Sequence, residues 1–330
     1  MEITLYHRLV LAAAGLAFVV IVFGAYVRLA DAGLGCPDWP GCYGEISPAF
    51  AQKKIDQAVR AQGGEHGPVS LHKAWKEMGH RYLAGALGLL ILAIAIAASV
   101  KRRKTALPWA LVVIVVLQAA LGMWTVTLLL KPVIVTLHLL GGMVTLGMLA
   151  WLAARELDFK IGFDALRTSA LRSWAALALV VVFVQIALGG WVSSNYAALA
   201  CVDFPMCHSA WLPAMDFRHG FQLVRELGRT ASGTPLAYEA LTAIHWTHRA
   251  GAVVALFAVG AVALALARVA GGARFAAAIA TLLAIQISLG IANVLAGLPL
   301  AVAVAHNAVA ALLLASLVLL NFALSRSTSP

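Results

Sequence analysis

Charged residues are scarce in this sequence. Asp, Glu, Lys and Arg together make up 12% of its 330 residues, about half of the roughly 25% typical of a soluble domain. Hydrophobic residues reach 62%, and the mean hydropathy is +0.90. A water-soluble fold cannot hide so much apolar surface, so lipid must cover it. The composition therefore excludes an ordinary soluble protein.

Two further features are missing. No basic surface is interleaved with exposed aromatic residues, which argues against nucleic acid as a partner despite a net charge of +10. Neither pair formed by the four cysteines has the two-residue gap usual for zinc. The positive charge and the cysteines therefore serve purposes other than binding nucleic acid or zinc.

Apolar runs of about 20 residues, long enough to cross the hydrocarbon core, occur eight times. Two long loops, 30–77 and 194–242, interrupt them, and Pro132 and Pro299 mark two tight turns. We predict an all-α polytopic membrane protein with transmembrane helices at 8–29, 78–99, 107–130, 133–153, 173–193, 243–266, 275–297 and 301–323.

Basic residues fall on one side of these predicted spans. Lys and Arg accumulate in cytoplasmic loops, so that side is expected to face the cytoplasm, with both termini inside and both long loops outside. In a bacterium this corresponds to a multi-pass protein of the plasma (inner) membrane. The basic positions are Arg8, 101–104, Arg155, Arg167, Arg172, Arg268, Arg274 and Arg326.

The chain repeats itself. His248 follows His80 by 168 residues, and His306 follows His138 by the same number. The pair Cys36 and Cys42 recurs 165 residues later as Cys201 and Cys207. Residues 1–157 (the first half) and 166–330 (the second half) are therefore predicted to be two tandem four-helix bundles. An even number of helices per copy implies a pseudo-twofold axis along the membrane normal.

The four repeated histidines lie near the outer ends of their predicted helices. A lone histidine there is usually satisfied by a neighbouring helix, but four at matched depth, two in each half, favour metal or haem ligation. Two facing imidazoles suit the axial positions of a haem iron, whereas zinc wants further ligands. The other histidines of the loops and helix edges lack matched partners and are interpreted as solvated: His7, His66, His72, His208 and His219.

Charged neighbours of these histidines allow more than one interpretation. Arg81 and Arg249 each follow a ligand candidate, and either bind haem propionates or anchor the helix at the interface. Glu77 stands three residues before His80, on the same helix face. It either moves protons or stabilises a cationic intermediate, or it pairs with a nearby lysine, Lys73 or Lys76.

The second half has His245 at the place of Glu77. This histidine is a spare polar group, a proton-relay group or an alternative ligand. Both cysteine pairs face an oxidising compartment, so disulfides are permitted in the first pair and in the pair of Cys201 and Cys207. Such bridges either rigidify the loops or exchange electrons with a carrier.

Two motifs carry a family resemblance. Residues 33–42 read GLGCPDWPGC and residues 77–81 read EMGHR, with an echo in CVDFPMC at 201–207 and HR at 248–249. Together with eight spans and duplicated halves, this resembles the haem A synthase family over nearly the whole chain. The second cysteine loop departs from the pattern, because it lacks the proline after its first cysteine and a glycine-rich approach.

The resemblance implies an oxidoreductase that oxidises the C8 methyl group of haem O to a formyl group by successive hydroxylations, giving haem A for terminal oxidases. It implies substrate haem O at His80 and His138, with Glu77 catalytic, and a resident haem b ligated by His248 and His306. It also implies that the Cys36–Cys42 disulfide is important for activity. The residues alone leave the roles of the two halves interchangeable.

Two other function classes fit part of the pattern. A di-haem electron-transfer protein explains the four histidines but not Glu77 in one half only. A haem transporter or chaperone predicts exchangeable haem with an unaltered porphyrin. The expected partners of the synthase are haem O, handed over by a haem O synthase, an unidentified electron donor, the lipid bilayer and, as an option, further copies of the chain.

Overall fold

The computed structural model describes residues 3–64, 66–161 and 168–326, and the described chain is helical without a β-strand. Eight helices are long and apolar enough to cross a membrane, which confirms the predicted polytopic all-α fold. Three of the predicted limits of the halves, residues 1, 166 and 330, lie outside the described residues, and so does Arg167. The long helices are α1 (Leu5–Leu29), α3 (Leu71–Val100), α4 (Ala106–Thr127), α5 (Pro132–Glu156), α6 (Thr168–Ser194), α8 (Tyr238–Ala267), α9 (Ala273–Leu295) and α10 (Leu300–Arg326).

The helix boundaries differ from prediction where polar turns continue a helix beyond the apolar run. The predicted span at 78–99 belongs to α3, which begins at Leu71 because the Ser70 side chain caps it by accepting the N–H of Lys73. Hydropathy marks the part of a helix in lipid, not where the helix begins. The two long loops also contain two short α-helices that hydropathy could not reveal, α2 (Gln52–Ala61) and α7 (Phe217–Gly220).

Each half forms its own ring of four helices. In the first half α1 contacts α3 and α5, and α4 closes the ring between them. In the second half α6, α8, α9 and α10 contact one another in the same order. The two rings meet through α1, α5, α6 and α10, so the large hydrophobic core is continuous across the seam.

At one end of the seam, residues contact their own repeat equivalents. Arg28 donates to the backbone oxygen of Ser193, 165 residues later, at 2.8 Å. Tyr196 donates to Asp31 at 2.9 Å, again across 165 residues. These contacts agree with two copies packed around a common axis; the axis itself stays a prediction.

The opposite end of the helices is basic and tied by ion pairs. Arg103, after α3, contacts Glu156 at the end of α5 at 2.5 Å. Arg326, at the end of α10, pairs with Asp158 at 3.0 Å. Basic residues predicted to share one side of the membrane are thus brought together.

Candidate functional site

The two repeated histidines of the first half face each other. His80 on α3 and His138 on α5 have ring centroids 6.5 Å apart and ring planes at 83°. An imidazole nitrogen bonds a metal at about 2 Å, so this separation leaves room for one metal atom between the rings. Phe23 of α1 lies beside His80, with ring centroids 6.4 Å apart.

The second half repeats the arrangement. His248 on α8 and His306 on α10 lie 168 residues after His80 and His138, on the equivalent helices of the second ring. The Gln286 amide nitrogen of α9 lies 3.2 Å from Nε2 of His306. All four predicted ligand candidates thus form two pairs, one inside each helix ring.

Each of these histidines rests against a glycine of a neighbouring helix. A Cβ atom added to Gly24 would lie 2.8 Å from Cε1 of His80, closer than real Cβ contacts. The same addition would lie 3.3, 3.1 and 3.2 Å from the other three imidazoles. Larger side chains would displace the rings, so these glycines form notches that hold them. The pairs are Gly24–His80, Gly122–His138, Gly189–His248 and Gly290–His306.

The ring nitrogens distinguish one histidine from the other three. Within the described chain, the Nδ1 atoms of His80, His138 and His306 are buried without a hydrogen-bond partner. His248 alone is held through Nδ1, by Gln185 of α6 at 3.0 Å, and the same amide donates to the His248 backbone oxygen at 2.9 Å.

This donor set suits an iron porphyrin. Buried polar atoms without partners are uncommon and call for a physical cause. A porphyrin supplies four nitrogens of its own and asks the protein only for axial ligands. Among the described residues, no three His, Cys, Asp or Glu side chains cluster to hold a bare metal ion.

Glu77 lies one turn of α3 above His80 and is buried, with 5% of its surface exposed. One carboxylate oxygen accepts the N–H of Cys36 at 2.9 Å, and the other pairs with Arg81 at 2.5 Å. The lysines do not pair with it: Lys73 donates to a loop carbonyl and Lys76 lies over the ring of Tyr26. The carboxylate thus joins α3 to the first cysteine loop.

The predicted propionate-binding arginines also hold the loops. Arg81 donates to the backbone oxygens of Asp38 and Gly41. Arg249 donates to those of Asp203 and Met206, at 2.8 and 2.9 Å. Contact of either guanidinium with a haem propionate stays a prediction beside this anchoring role.

His245 takes the structural place of Glu77 in the second half. Its Nδ1 accepts the N–H of Cys201 at 3.3 Å, and Arg249 Nε lies 3.3 Å from its Nε2. The side chain is buried, with 4% exposed. A neutral imidazole accepts at one nitrogen only, so the Cys201 and Arg249 N–H groups cannot both donate to this ring. Its role as a spare polar group, a proton-relay group or an alternative ligand stays a prediction.

Both cysteine pairs form disulfides. Cys36 is bonded to Cys42 with an S–S distance of 2.05 Å, and Cys201 is bonded to Cys207 with an S–S distance of 2.01 Å. The disulfides that were expected to be permitted are therefore confirmed in both halves. All four cysteines are buried, with Cys207 only 2% exposed. Burial favours the rigidifying role over redox exchange, which needs an accessible sulfur.

Each cysteine loop folds around an aspartate. Asp38 accepts the N–H groups of the two residues that follow Cys42, and Asp203 accepts those of His208 and Ser209, which follow Cys207. The hydrogen bond from Ser209 is the main reason why the pKa of Asp203 lies below its usual value. The loops thus share one internal scaffold in spite of their different sequences.

One histidine interpreted as solvated is not. His7 is 6% exposed and accepts the backbone N–H of Thr4 through Nδ1, so it caps α1. The prediction is wrong there because a capping contact leaves no periodic signal in the sequence. His219 lies beside Asp216, which it contacts at 2.5 Å.

Sequence reasoning missed Gln185 and the roles of the four glycines. Subtracting 165 from 185 gives position 20, which is Val20. Comparing the two halves residue by residue would therefore have revealed the polar substitution. The glycines recur between the halves, but only the structure shows that they face the histidines.

Comparisons with known proteins agree with this geometry. The family described as "Cytochrome oxidase assembly protein" matches residues 7–318. A "Heme A synthase" of Shewanella oneidensis is 40% identical over 315 residues, covering 94% of each chain. Another of Rhizorhabdus wittichii is 30% identical over 324 residues, covering 92% of this chain and 89% of that protein. The chain therefore belongs to the haem A synthase family of cytochrome oxidase assembly proteins.

Proposed function

We propose that this chain converts haem O to haem A. Two successive hydroxylations would carry the C8 methyl group to a gem-diol, which loses water to leave the formyl group. In each hydroxylation dioxygen would be the oxidant: one oxygen atom would enter the C–H bond, and the other would leave as water with two electrons from an external donor and two protons. The observation that carries the proposal is the buried carboxylate of Glu77, one turn from a facing histidine pair, in one half only. An electron carrier needs two ligated haems but no such carboxylate.

The first half is proposed to bind substrate haem O through His80 and His138, and the second half a resident haem b through His248 and His306. The Gln185 contact supports this assignment. A hydrogen bond to the outer nitrogen of an axial histidine fixes the ring and strengthens metal binding. If His248 held a haem iron through Nε2, its Nδ1 would carry the proton. The Gln185 amide, whose nitrogen now lies 3.0 Å from Nδ1, would then turn to accept that proton through Oε1, which is buried without a partner in the structure.

The iron of the bound haem would supply the oxidising chemistry. The chain would supply positioning and proton control. The glycine notches set the distance between His80 and His138, and the Glu77 carboxylate stands on the same face of α3 as His80. There it can accept or return a proton at its oxygen atoms as the methyl carbon is oxidised. Arg81 and the Cys36 N–H hold that carboxylate in one orientation.

We further propose a multi-pass placement in a bacterial inner membrane, with cytoplasmic termini and outward cysteine loops. The ion-paired basic end described above supports this orientation. Haem O would arrive from a haem O synthase, and an external donor would supply electrons at the outer face near the loops.

The test is haem extraction and mass analysis from cells that make haem O, with and without this chain. The formylated haem should accumulate with the unaltered chain and be lost with Glu77→Ala or His80→Ala. His306→Ala should instead lower the content of bound haem b. Membrane levels of each variant, measured by immunoblot, separate a lost activity from a lost protein.

An unchanged haem O in every strain, with haem b bound to the purified chain, would overturn the proposal and favour the di-haem electron carrier. Haem O that binds and is released unaltered would favour the transporter instead.

A further inference from the structure

A large groove opens between the two halves, and none of the four repeated histidines lines it. It has a volume of about 1020 Å³ and is bounded by α4, α5, α6 and α10. Its walls are apolar, with Met148, Trp151, Phe183 and Leu314 among them. Filling it with water would need on the order of 30 molecules, most of them placed against apolar side chains that cannot hydrogen-bond them.

The groove begins at the basic end and runs inward along α5 from Arg155 to Met143. Those 12 residues span about 18 Å at the helical rise of 1.5 Å per residue. Half of a hydrocarbon core of about 30 Å is about 15 Å. The groove therefore has the depth of one leaflet, which is the length of a lipid acyl chain region.

Cations gather at the mouth of the groove. Arg103, Lys104 and Arg155 line it there. Glu156 is the acidic group nearby, and it pairs with Arg103 at 2.5 Å and with Arg155 at 2.8 Å. No ion pair of Lys104 occurs among the described residues, so the mouth keeps an excess of positive charge.

We propose that this groove is a binding site for one anionic phospholipid of the leaflet at the basic end. The acyl chains fill the apolar cleft between the halves, and the phosphate lies against Lys104 and the two arginines. Basic pockets between transmembrane helices recognise acidic lipid head groups in this way. The lipid thereby seals the seam between α5 and α6 without touching either histidine pair.

Native mass spectrometry of the full chain in mild detergent, with phosphatidylglycerol or phosphatidylcholine added, tests the proposal. We expect one phosphatidylglycerol to stay bound and phosphatidylcholine to be lost. Val180→Trp narrows the groove from an exposed wall position and should abolish retention. Val184→Trp, one turn away on the same helix and 51% exposed, lies outside the groove and should leave retention unchanged.

The charge is tested in the same assay. Lys104→Gln should weaken phosphatidylglycerol binding about fivefold, since one basic group near an anionic surface contributes about 1 kcal/mol. Lys101→Gln removes the same charge from the same basic block but does not line the groove, so it should have no effect. Unchanged melting temperatures of the four variants establish that the fold is intact.

Equal binding of the two lipids, or equal loss from Val180→Trp and Val184→Trp, would overturn the proposal. The proposal would also be overturned if the molecule that Val180→Trp displaces were a haem or a protein. His80→Ala should retain the lipid fully, so this result is independent of whether the proposed haem chemistry holds.

Discussion

The two halves share the same arrangement of histidines, disulfide and loop-holding arginine, and they differ at two positions beside the histidines. Both have a notched histidine pair, a buried disulfide and an arginine that holds the loop by its carbonyls. The first half places a carboxylate, Glu77, where the second places His245. The second half places an amide, Gln185, where the first has Val20. Under the proposed function, a duplicated bundle divides labour by small changes: one copy gains a group that would handle protons, and the other gains an amide that would fix a haem ligand.

The largest expected effect comes from removing the carboxylate. Glu77→Gln keeps the size and a hydrogen bond of the side chain but cannot accept a proton as a carboxylate does. Haem A formation should fall by about 10² to 10⁴, the usual contribution of a general acid or base. The measurement is the ratio of haem A to haem O in extracted membranes.

The equivalent change in the second half is the control. His245→Gln should lower haem A formation less than about tenfold, since its proposed role is to hold the loop. Equal losses in the two variants would mean that the carboxylate has no special function.

Replacing the Gln185 amide tests whether the second half holds its haem permanently while the first half releases it. Gln185→Val should weaken haem b binding in the second half by about 10- to 100-fold, the range for lost partners of metal-binding histidines. Haem titration followed by absorbance spectra measures this, and the spectrum of the remaining haem b should shift.

The reverse exchange, Val20→Gln, brings a polar group towards His80. We expect it to slow release of haem from the first half. If Gln185→Val leaves both the haem b affinity and the spectrum unchanged, the contact between Gln185 and His248 does not explain why the two halves would hold haem differently.

The notches predict an effect of intermediate size. Gly24→Ala forces His80 to move, and overpacking of this kind typically costs about 1–3 kcal/mol. Haem A formation should fall about tenfold while haem b content stays constant. Gly15→Ala, on the same helix with nothing within 4 Å of the added atom, should have no such effect. Equal behaviour of the two variants would contradict the notch.

The smallest effect on product formation is expected from the disulfides. Replacing either cysteine pair by serines should lower stability by about 2 kcal/mol, the value for a short closed loop. Losing the first bridge should also lower activity, because the N–H of Cys36 holds Glu77, whereas losing the bridge between Cys201 and Cys207 should not. Thermal unfolding and haem A formation are measured on both double variants. We expect similar melting temperatures but a lower activity in the variant that lacks the first bridge. Equal activities would show that the first bridge has no catalytic part.

Much of this organisation could be predicted from the sequence, for two physical reasons. Lipid imposes long apolar runs, so the eight spans were identifiable. Duplication supplies an internal alignment, so the four histidines and both cysteine pairs stood out. The first two turns of α3, from Leu71, were missed because the polar turns of a helix look like a loop in the sequence. The partners of Arg81 were missed because backbone carbonyls have no sequence signature, and Gln185 because it has no copy.

The seam contacts between repeat equivalents have a consequence for how such a chain can diverge. In a symmetric dimer of identical four-helix chains, a residue at the two-fold axis must meet its own copy. An arginine at position 28 would then face another arginine, and each change would be made twice. Joining the copies in one chain removes this restriction: Arg28 meets Ser193, and Asp31 meets Tyr196. In a single chain the two sides of the seam can therefore be complementary without being identical. The two unequal haem sites proposed above would require this freedom.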